Sequence, residues 1–405
     1  MNIYISGISG TGMGPLALMA KQAGHTVFGS DKNAGPIVPE LENAQIDFEI
    51  GSQDGTFFEK HPVDWFVYTS ALPKDHPELK LAIEKGIKYT KRDEFIDFLV
   101  KELNLKMVAV AGTHGKTTTT SMIIWAAKKL GLPASYLVGT TLGFAKSGSY
   151  NENDKFFIYE ADEYDRNFLK FHPWLSLITF VSYDHPDIYK TEDEYKEAFK
   201  TFESQSENII RGGETDGRIS LAGAARREDA TTAMKAIKMM AESEGREIKD
   251  EEIIEVLNMF PGVGRRFEKI TDGVYSDYAH HPEEIEATIE IANEEAQNTG
   301  KLGVVAVYEP HQNTRQHEVK SGYKMAFKDA KKIFWLPTYL TREDESLKVL
   351  TPEDFIKDLI NNESAEPAKM DDAFADCLKN LRDEGYLILL MTAGPADAWL
   401  RQIFV

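Results

Sequence analysis

One cysteine, Cys377, in 405 residues leaves no internal disulfide framework to hold this chain together. That usage fits a reducing compartment. No apolar run approaches the roughly 20 residues that a membrane-spanning helix requires. The opening segment MNIYISGIS has no basic region and turns to glycine too soon for a secretory signal. A soluble cytoplasmic protein is therefore expected, without membrane partners. Positive charge is scarce as well: 46 Lys and Arg stand against 66 Asp and Glu, a net charge of -20. A surface of that sign repels polyanions and argues against general nucleic-acid binding. An anionic small substrate stays compatible, because a few arginines in a cleft dominate the local field. Low-complexity tracts and solenoid-period repeats are absent too.

What is present is enough apolar material, 42% of the chain, for two or three cores. The order of patterns is α/β. Asn2 to Ser6 reads as a short strand, GISGTGMG as a glycine-rich turn, PLALMAKQAG as a helix stopped at Gly24, and HTVFGSD as a strand ending on Asp31. A second α/β region opens with LKMVAVAGTHGKT and continues through FFIYEADEYD and LSLITFVSYDH, apolar runs that each end in acids. RGGETDGR reads as a turn, and two helices follow it. From VYSDYAHHP onward a third alternating region carries strands at LGVVAVYEP, KIFWLP and YLILLMTAG. Apolar strands with acids and glycines at their C-terminal ends fit parallel sheets with a site along that edge.

Five groups of residues stand out for their chemistry. In VAVAGTHGKTTTT, the glycines Gly112 and Gly115 bracket a turn whose backbone amides can face phosphate oxygens. Lys116 adds a point charge, and Thr117 suits Mg²⁺. The eight-residue phosphate-loop pattern would have glycine at Val110, so the match is to a shortened variant. EADEYD packs Glu160, Asp162, Glu163 and Asp165 after a strand, where their mutual repulsion asks for a cation. Asp184 and His185 are expected at the end of the next strand, at the same edge. GISGTGMG spaces Gly7, Gly10 and Gly12 as G-x-x-G-x-G, which fits a nucleotide diphosphate without requiring nicotinamide; Asp31 suits ribose hydroxyls. The last third concentrates Arg265, Arg266, Asp277, His280, His281, His311 and Arg315, whose roles spacing alone does not assign.

Taken in order, ISGTGMG, GSD, AGTHGKTTTT, EADEYD, DHPD, GRRFE, DYAHHP and PHQNTR resemble the Mur ligase family, the ATP-dependent amino-acid ligases of peptidoglycan precursor synthesis. The resemblance covers nearly the whole chain. It implies three domains: a Rossmann-like UDP-binding domain (1–104), a shortened P-loop-type central ATPase domain with a mostly parallel sheet (105–262), and a Rossmann-like C-terminal domain (263–405). It implies ATP bound by Gly112, Thr113, His114, Gly115, Lys116, Thr117 and Thr118, with Arg266 and Asp277 from the third domain. Mg²⁺ falls to Thr117, Glu163 and His185, and the catalytic group is Lys116, Glu163 and His185. The UDP-sugar falls to Gly7, Gly10, Thr11, Gly12, Met13, Asp31 and Ser70, and the incoming amino acid to His281, His311 and Arg315.

The implied reaction joins L-alanine to the carboxylate of UDP-N-acetylmuramate through an acyl phosphate, in a monomer or homodimer. GTHGKTTTT, DYAHHP and PHQNTR favour that member of the family. EADEYD and YDHPDIY favour the relative that attaches recycled L-Ala-γ-D-Glu-diaminopimelate tripeptide to the same sugar nucleotide. Departures from the family pattern fall at Phe180, at Ala225, Arg226 and Asp229 in the adenine segment, and at Gln312. The stretch between SENII and RISLAG is short. A degenerate nucleotide-binding homologue would account for those departures but not for Lys116, Glu163 and His185. A nicotinamide oxidoreductase would leave Lys116 and the acidic turn without a purpose.

Overall fold

The computed structural model describes residues 1–404 except 70, 71, 186, 187, 342 and 345. The expectation for Ser70 therefore lies outside the described residues. The chain forms two compact units, one of residues 1–219 with 228–261, the other of 220–227 with 262–405.

The first unit contains two sheets. Its N-terminal sheet has five strands, all parallel, in the spatial order Asp47–Ile50, Thr26–Asp31, Asn2–Ser6, Trp65–Tyr68 and Lys88–Lys91. Helices on its faces bury Ile3, Ile5, Leu16, Phe95 and Leu99. The chain leaves Ser6 through Gly7, whose φ of +81° is open to glycine at no steric cost. A buried carboxylate, Glu78, ties the strand ends together. It accepts the hydroxyls of Tyr4 (2.7 Å), Ser6 (2.7 Å) and Ser30 (2.6 Å). A buried charge is tolerable only when hydrogen-bonded in this way. Ser6 and Ser30 directly precede Gly7 and Asp31, so the network fixes where the glycine turn and Asp31 begin.

The central sheet has six strands in the order Asn208–Arg211, Leu175–Ile178, Lys106–Ala111, Phe156–Glu160, Ala134–Leu137 and Gly148–Ser149. Only the last pairs antiparallel. Lys106–Ala111 lies in the middle with Val108 beside Leu175 on one side and Ile158 on the other. Being covered on both faces, it reads as a continuous apolar run. Burying each valine contributes roughly 1.5–3 kcal/mol, which anchors the loop that follows.

The strand read as LSLITFVSYDH stops at Ile178, and Asp184 and His185 sit on an irregular segment beyond it. The cause is a competing set of hydrogen bonds. Phe180 O accepts from Thr113 N (2.6 Å), while Ser182 exchanges bonds with the Thr113 hydroxyl through its carbonyl (2.7 Å) and its N–H (3.0 Å). The backbone there serves the phosphate loop rather than a sheet ladder.

The second unit has a six-stranded sheet ordered Glu268–Thr271, Val274–Asp277, Leu387–Thr392, Val304–Glu309, Lys332–Trp335 and Ala365–Pro367. The first strand is antiparallel and the rest are parallel. The helix Pro282–Asn298 lays Ile285, Ile289, Ala292 and Ala296, at helical spacing, against a core holding Tyr308, Phe327 and Trp335. No helix among the described residues is long and apolar enough to cross a membrane.

Candidate functional site

The phosphate loop runs from Gly112 to Gly115 and opens into the helix Lys116–Lys129, the arrangement read from the sequence. Gly112 has φ +144°, and a methyl group on it would lie 2.1 Å from Thr179 Oγ1. That hydroxyl donates to the His114 carbonyl (2.5 Å), so the loop is braced from behind. The first-turn amides of the helix have no earlier carbonyl within it to bond, and they face the loop.

Lys116 curls back into the loop. Its ammonium donates to Gly112 O at 2.5 Å and Thr113 O at 3.2 Å, and pairs with the Glu163 carboxylate at 2.9 Å. Glu163 is 1% exposed, and His185 Nε2 lies 3.6 Å from its other oxygen. Burial opposes charge on both partners of the ion pair. Mutual attraction wins: Lys116 is pushed above the usual lysine range by Glu163, Asp162 and Glu160, and Glu163 is held below the usual carboxylate range by Lys116 and His185. Asp162 moves the other way, raised by burial and by the neighbouring Glu163 charge. Thr117 Oγ1 donates to Glu160 Oε1 at 2.8 Å. His185 has φ +58°, a conformation uncommon outside glycine, and packs edge-on to Tyr164. The loop, the acidic turn and His185 therefore come together as one cluster.

The donor set of that cluster fits a magnesium ion: carboxylates, a hydroxyl and one imidazole, with more negative charge than Lys116 alone balances. Glu163, His185 and Thr117 are the residues of that set that could hold it.

At the glycine turn, Asp31 accepts from Ser9 N (3.0 Å) and Asn33 N (3.2 Å), while Ser9 Oγ donates to Asn33 O (2.6 Å). Gly10 N bonds back to Gly7 O, and Met13 is buried beneath the turn. Thr11 stands exposed at its tip. Sequence reasoning passed over Arg92, which lies against Gly12; the run KRDEF gave a basic residue opening a helix and no reason to place it here. Of the departures, Phe180 is 52% exposed and stacks beside His114. Asp229 accepts from Thr119 Oγ1 at 3.0 Å and sits close over Gly115.

In the second unit Asp277 ends its strand and accepts N–H groups from Phe267 (2.6 Å) and Ala279 (2.7 Å). Burial raises its pKa against the pull of Arg266. Arg265 and Arg266 both lie over the Tyr278 ring, at 4.8 and 5.2 Å. Arg265 and Phe267 have positive φ, so the GRRFE segment is held in a strained course. His281 immediately precedes the helix Pro282–Asn298. His311 faces His280 (6.1 Å between rings) and Tyr339 (5.8 Å). Arg315 lies on the short helix Asn313–Val319; burial holds the His280 pKa below the usual histidine range, and the charge of Arg315 acts in the same direction. A buried chain the sequence did not announce, Tyr308 to Tyr323 to Gln316 to the His311 carbonyl, sets that corner.

Fold and site together define a nucleotide-binding α/β protein with a phosphate loop beside an acidic turn. Comparison with known proteins is specific. Residues 2–103 match the Mur ligase family catalytic domain, 110–211 the Mur ligase middle domain, and 265–394 the Mur ligase glutamate ligase domain. A UDP-N-acetylmuramate-L-alanine ligase from Clostridium botulinum (strain Hall) is 30% identical over 446 aligned residues, which cover 97% of this chain and 95% of the relative. One from Lactobacillus acidophilus is 29% identical, with the same coverage. Among solved structures, a UDP-N-acetylmuramate-alanine ligase from Thermotoga maritima superposes with a TM-score of 0.77 at 21% identity, covering 100% of this chain and 98% of that one. A murein peptide ligase from Psychrobacter arcticus gives 0.63 at 23% identity, with 100% and 98% covered. The chain belongs to the Mur ligase family. The 446 aligned positions exceed the 405 residues of the chain, so that relative carries internal segments that are missing here.

Proposed function

We propose that this protein is an ATP-dependent ligase that joins L-alanine to the carboxylate of UDP-N-acetylmuramate in peptidoglycan precursor synthesis. The observation that carries the choice is the near full-length match to L-alanine ligases, taken with the Lys116, Glu163 and His185 cluster at the phosphate loop. A carboxylate acylates poorly because oxide is a poor leaving group. Transfer of the γ-phosphoryl group of ATP onto a carboxylate oxygen makes an acyl phosphate and releases ADP. The neutral amine of alanine then attacks the acyl carbon, phosphate departs, and the amine loses a proton.

In this scheme Lys116 and the first-turn amides spread the charge of the transferring phosphoryl group. Glu163, His185 and Thr117 hold Mg²⁺, which when bound neutralises phosphate charge. Gly7, Gly10, Thr11, Gly12, Met13 and Asp31 take the UDP-sugar. Arg266 and Asp277 take part in ATP binding, and His281, His311 and Arg315 receive the amino acid. We further propose division into domains at about residues 104 and 262, and a cytoplasmic location.

A second reading, attachment of the recycled tripeptide, is supported by EADEYD and YDHPDIY. Steady-state ADP release with each amine donor separates the two: turnover with L-alanine supports the first, and turnover with tripeptide alone replaces it with the second.

A further inference from the structure

The inference drawn here rests on reading the glycine turn as the site of the UDP-sugar diphosphate, and it concerns a residue that reading did not include. Arg92 opens the helix Arg92–Glu102, directly after the strand Lys88–Lys91. Its Nε and Nη2 both donate to Asp93 Oδ1, at 3.3 and 3.1 Å. The same oxygen accepts the hydroxyl of Tyr159 at 2.8 Å. Asp93 and Tyr159 are buried, so the anchor is rigid and one side of the guanidinium fork is fixed. The other side, Nη1, points at the glycine turn: a methyl group on Gly12 would lie 2.7 Å from it. Glycine at position 12 thus makes room for an arginine.

Three features of this corner suit an anion. Among the described residues, Nη1 has no hydrogen-bond partner, nor do the backbone N–H groups of Thr11 and Gly12. The guanidinium is a quarter exposed, enough for a ligand to reach it. Its planar fork matches phosphate oxygens, and its orientation is set before any ligand arrives. We infer that Arg92 is a diphosphate-binding residue, using Nη1 alongside the turn amides of Thr11 and Gly12, with Asp93 and Tyr159 as positioning residues. Tyr159 lies on the strand Phe156–Glu160, which leads straight into the acidic turn with Glu163. One anchor therefore ties the sugar-nucleotide turn to the phosphoryl-transfer cluster, and a diphosphate gripped by Arg92 is held in fixed register with it.

The test is binding of UDP and of uridine, which shares the base and ribose but has no phosphate, to the full chain and its Arg92→Gln, Arg92→Lys and Tyr159→Phe variants. Arg92→Gln is expected to weaken UDP at least about tenfold while uridine stays within about twofold. Arg92→Lys should fall between, and Tyr159→Phe should weaken UDP several-fold with the KM for ATP unchanged. UDP affinity unaffected in Arg92→Gln overturns the assignment. So does an equal loss for UDP and uridine, which marks a structural role. Should Arg92→Gln fail to fold, Arg92→Lys decides by the same UDP-to-uridine ratio. Failure of the unsubstituted protein to bind UDP overturns the reading of the turn itself, and this inference with it.

Discussion

Replacing Lys116 with methionine keeps an unbranched side chain one atom shorter and removes its charge. Two effects then act on different observables. The ammonium bonds two loop carbonyls and neutralises Glu163, which is 1% exposed. Stripping one partner from a buried pair costs about 3–5 kcal/mol, and His185 at 3.6 Å offsets part of that loss. An unfolding free energy lower by about 3 kcal/mol is expected. In the proposed reaction the same charge faces the phosphoryl group in flight, where such donors are worth roughly 10³-fold in rate, about 4 kcal/mol. Glu163→Gln in the Lys116→Met background separates the effects. Removing both partners leaves neither member of this pair unpaired, so most of the lost stability should return, whereas turnover should stay down. Denaturant unfolding reads the first and coupled ADP release the second. A single variant retaining more than a tenth of normal turnover, or a double variant that regains it, would refute the role given to Lys116.

Three further outcomes follow from particular contacts. Gly112→Ala brings a methyl to 2.1 Å from Thr179 Oγ1 at φ +144°, so ATP affinity should fall by at least tenfold, whereas Gly131→Ala, with nothing within 4 Å, should cost only the strain of φ +65°; equal effects in nucleotide titrations would contradict the bracing of the loop. Arg315→Ala should raise the KM for the amino acid far more than that for ATP, and an unchanged amino-acid KM would remove Arg315 from that site. Burial, aided by the charges of Arg315 and Arg266, holds His280 below the ordinary histidine pKa of 6.5 and outweighs the opposing pull of Glu284. The unfolded chain therefore takes up a proton below about pH 6.5 that the folded chain resists, and stability is lost as pH falls through that range. His280→Asn should flatten this loss in denaturation curves between pH 7.5 and 5.5; an identical slope would contradict it.

The fold was legible where the pattern was local. Asn2–Ser6, Lys106–Ala111 and Leu387–Thr392 are buried on both faces and announce themselves as apolar runs. Gly-Lys-Thr at a strand-to-helix junction likewise located the phosphate loop. What the sequence hid depended on distant partners. The course of Phe180 to His185 is set by bonds to Thr113, nearly seventy residues earlier, so a strand was read too far. The short strands Gly148–Ser149 and Ala365–Pro367 have too few residues for any periodicity. Arg92 looked like an ordinary surface cation because Asp93 alone is adjacent; Tyr159 and Gly12 meet it only in the fold. Glu78 was silent for the same reason, its three hydroxyl donors lying 48 to 74 residues away.

The central claim is the identity of the amine that ends the reaction. The most direct measurement is Mg²⁺- and UDP-N-acetylmuramate-dependent ADP release by the purified protein, with L-alanine, glycine, L-serine and L-Ala-γ-D-Glu-diaminopimelate offered separately. The account predicts turnover with L-alanine well above the other three, and none when UDP-N-acetylmuramate is withheld. Turnover with the tripeptide alone, or with no donor at all, would contradict it.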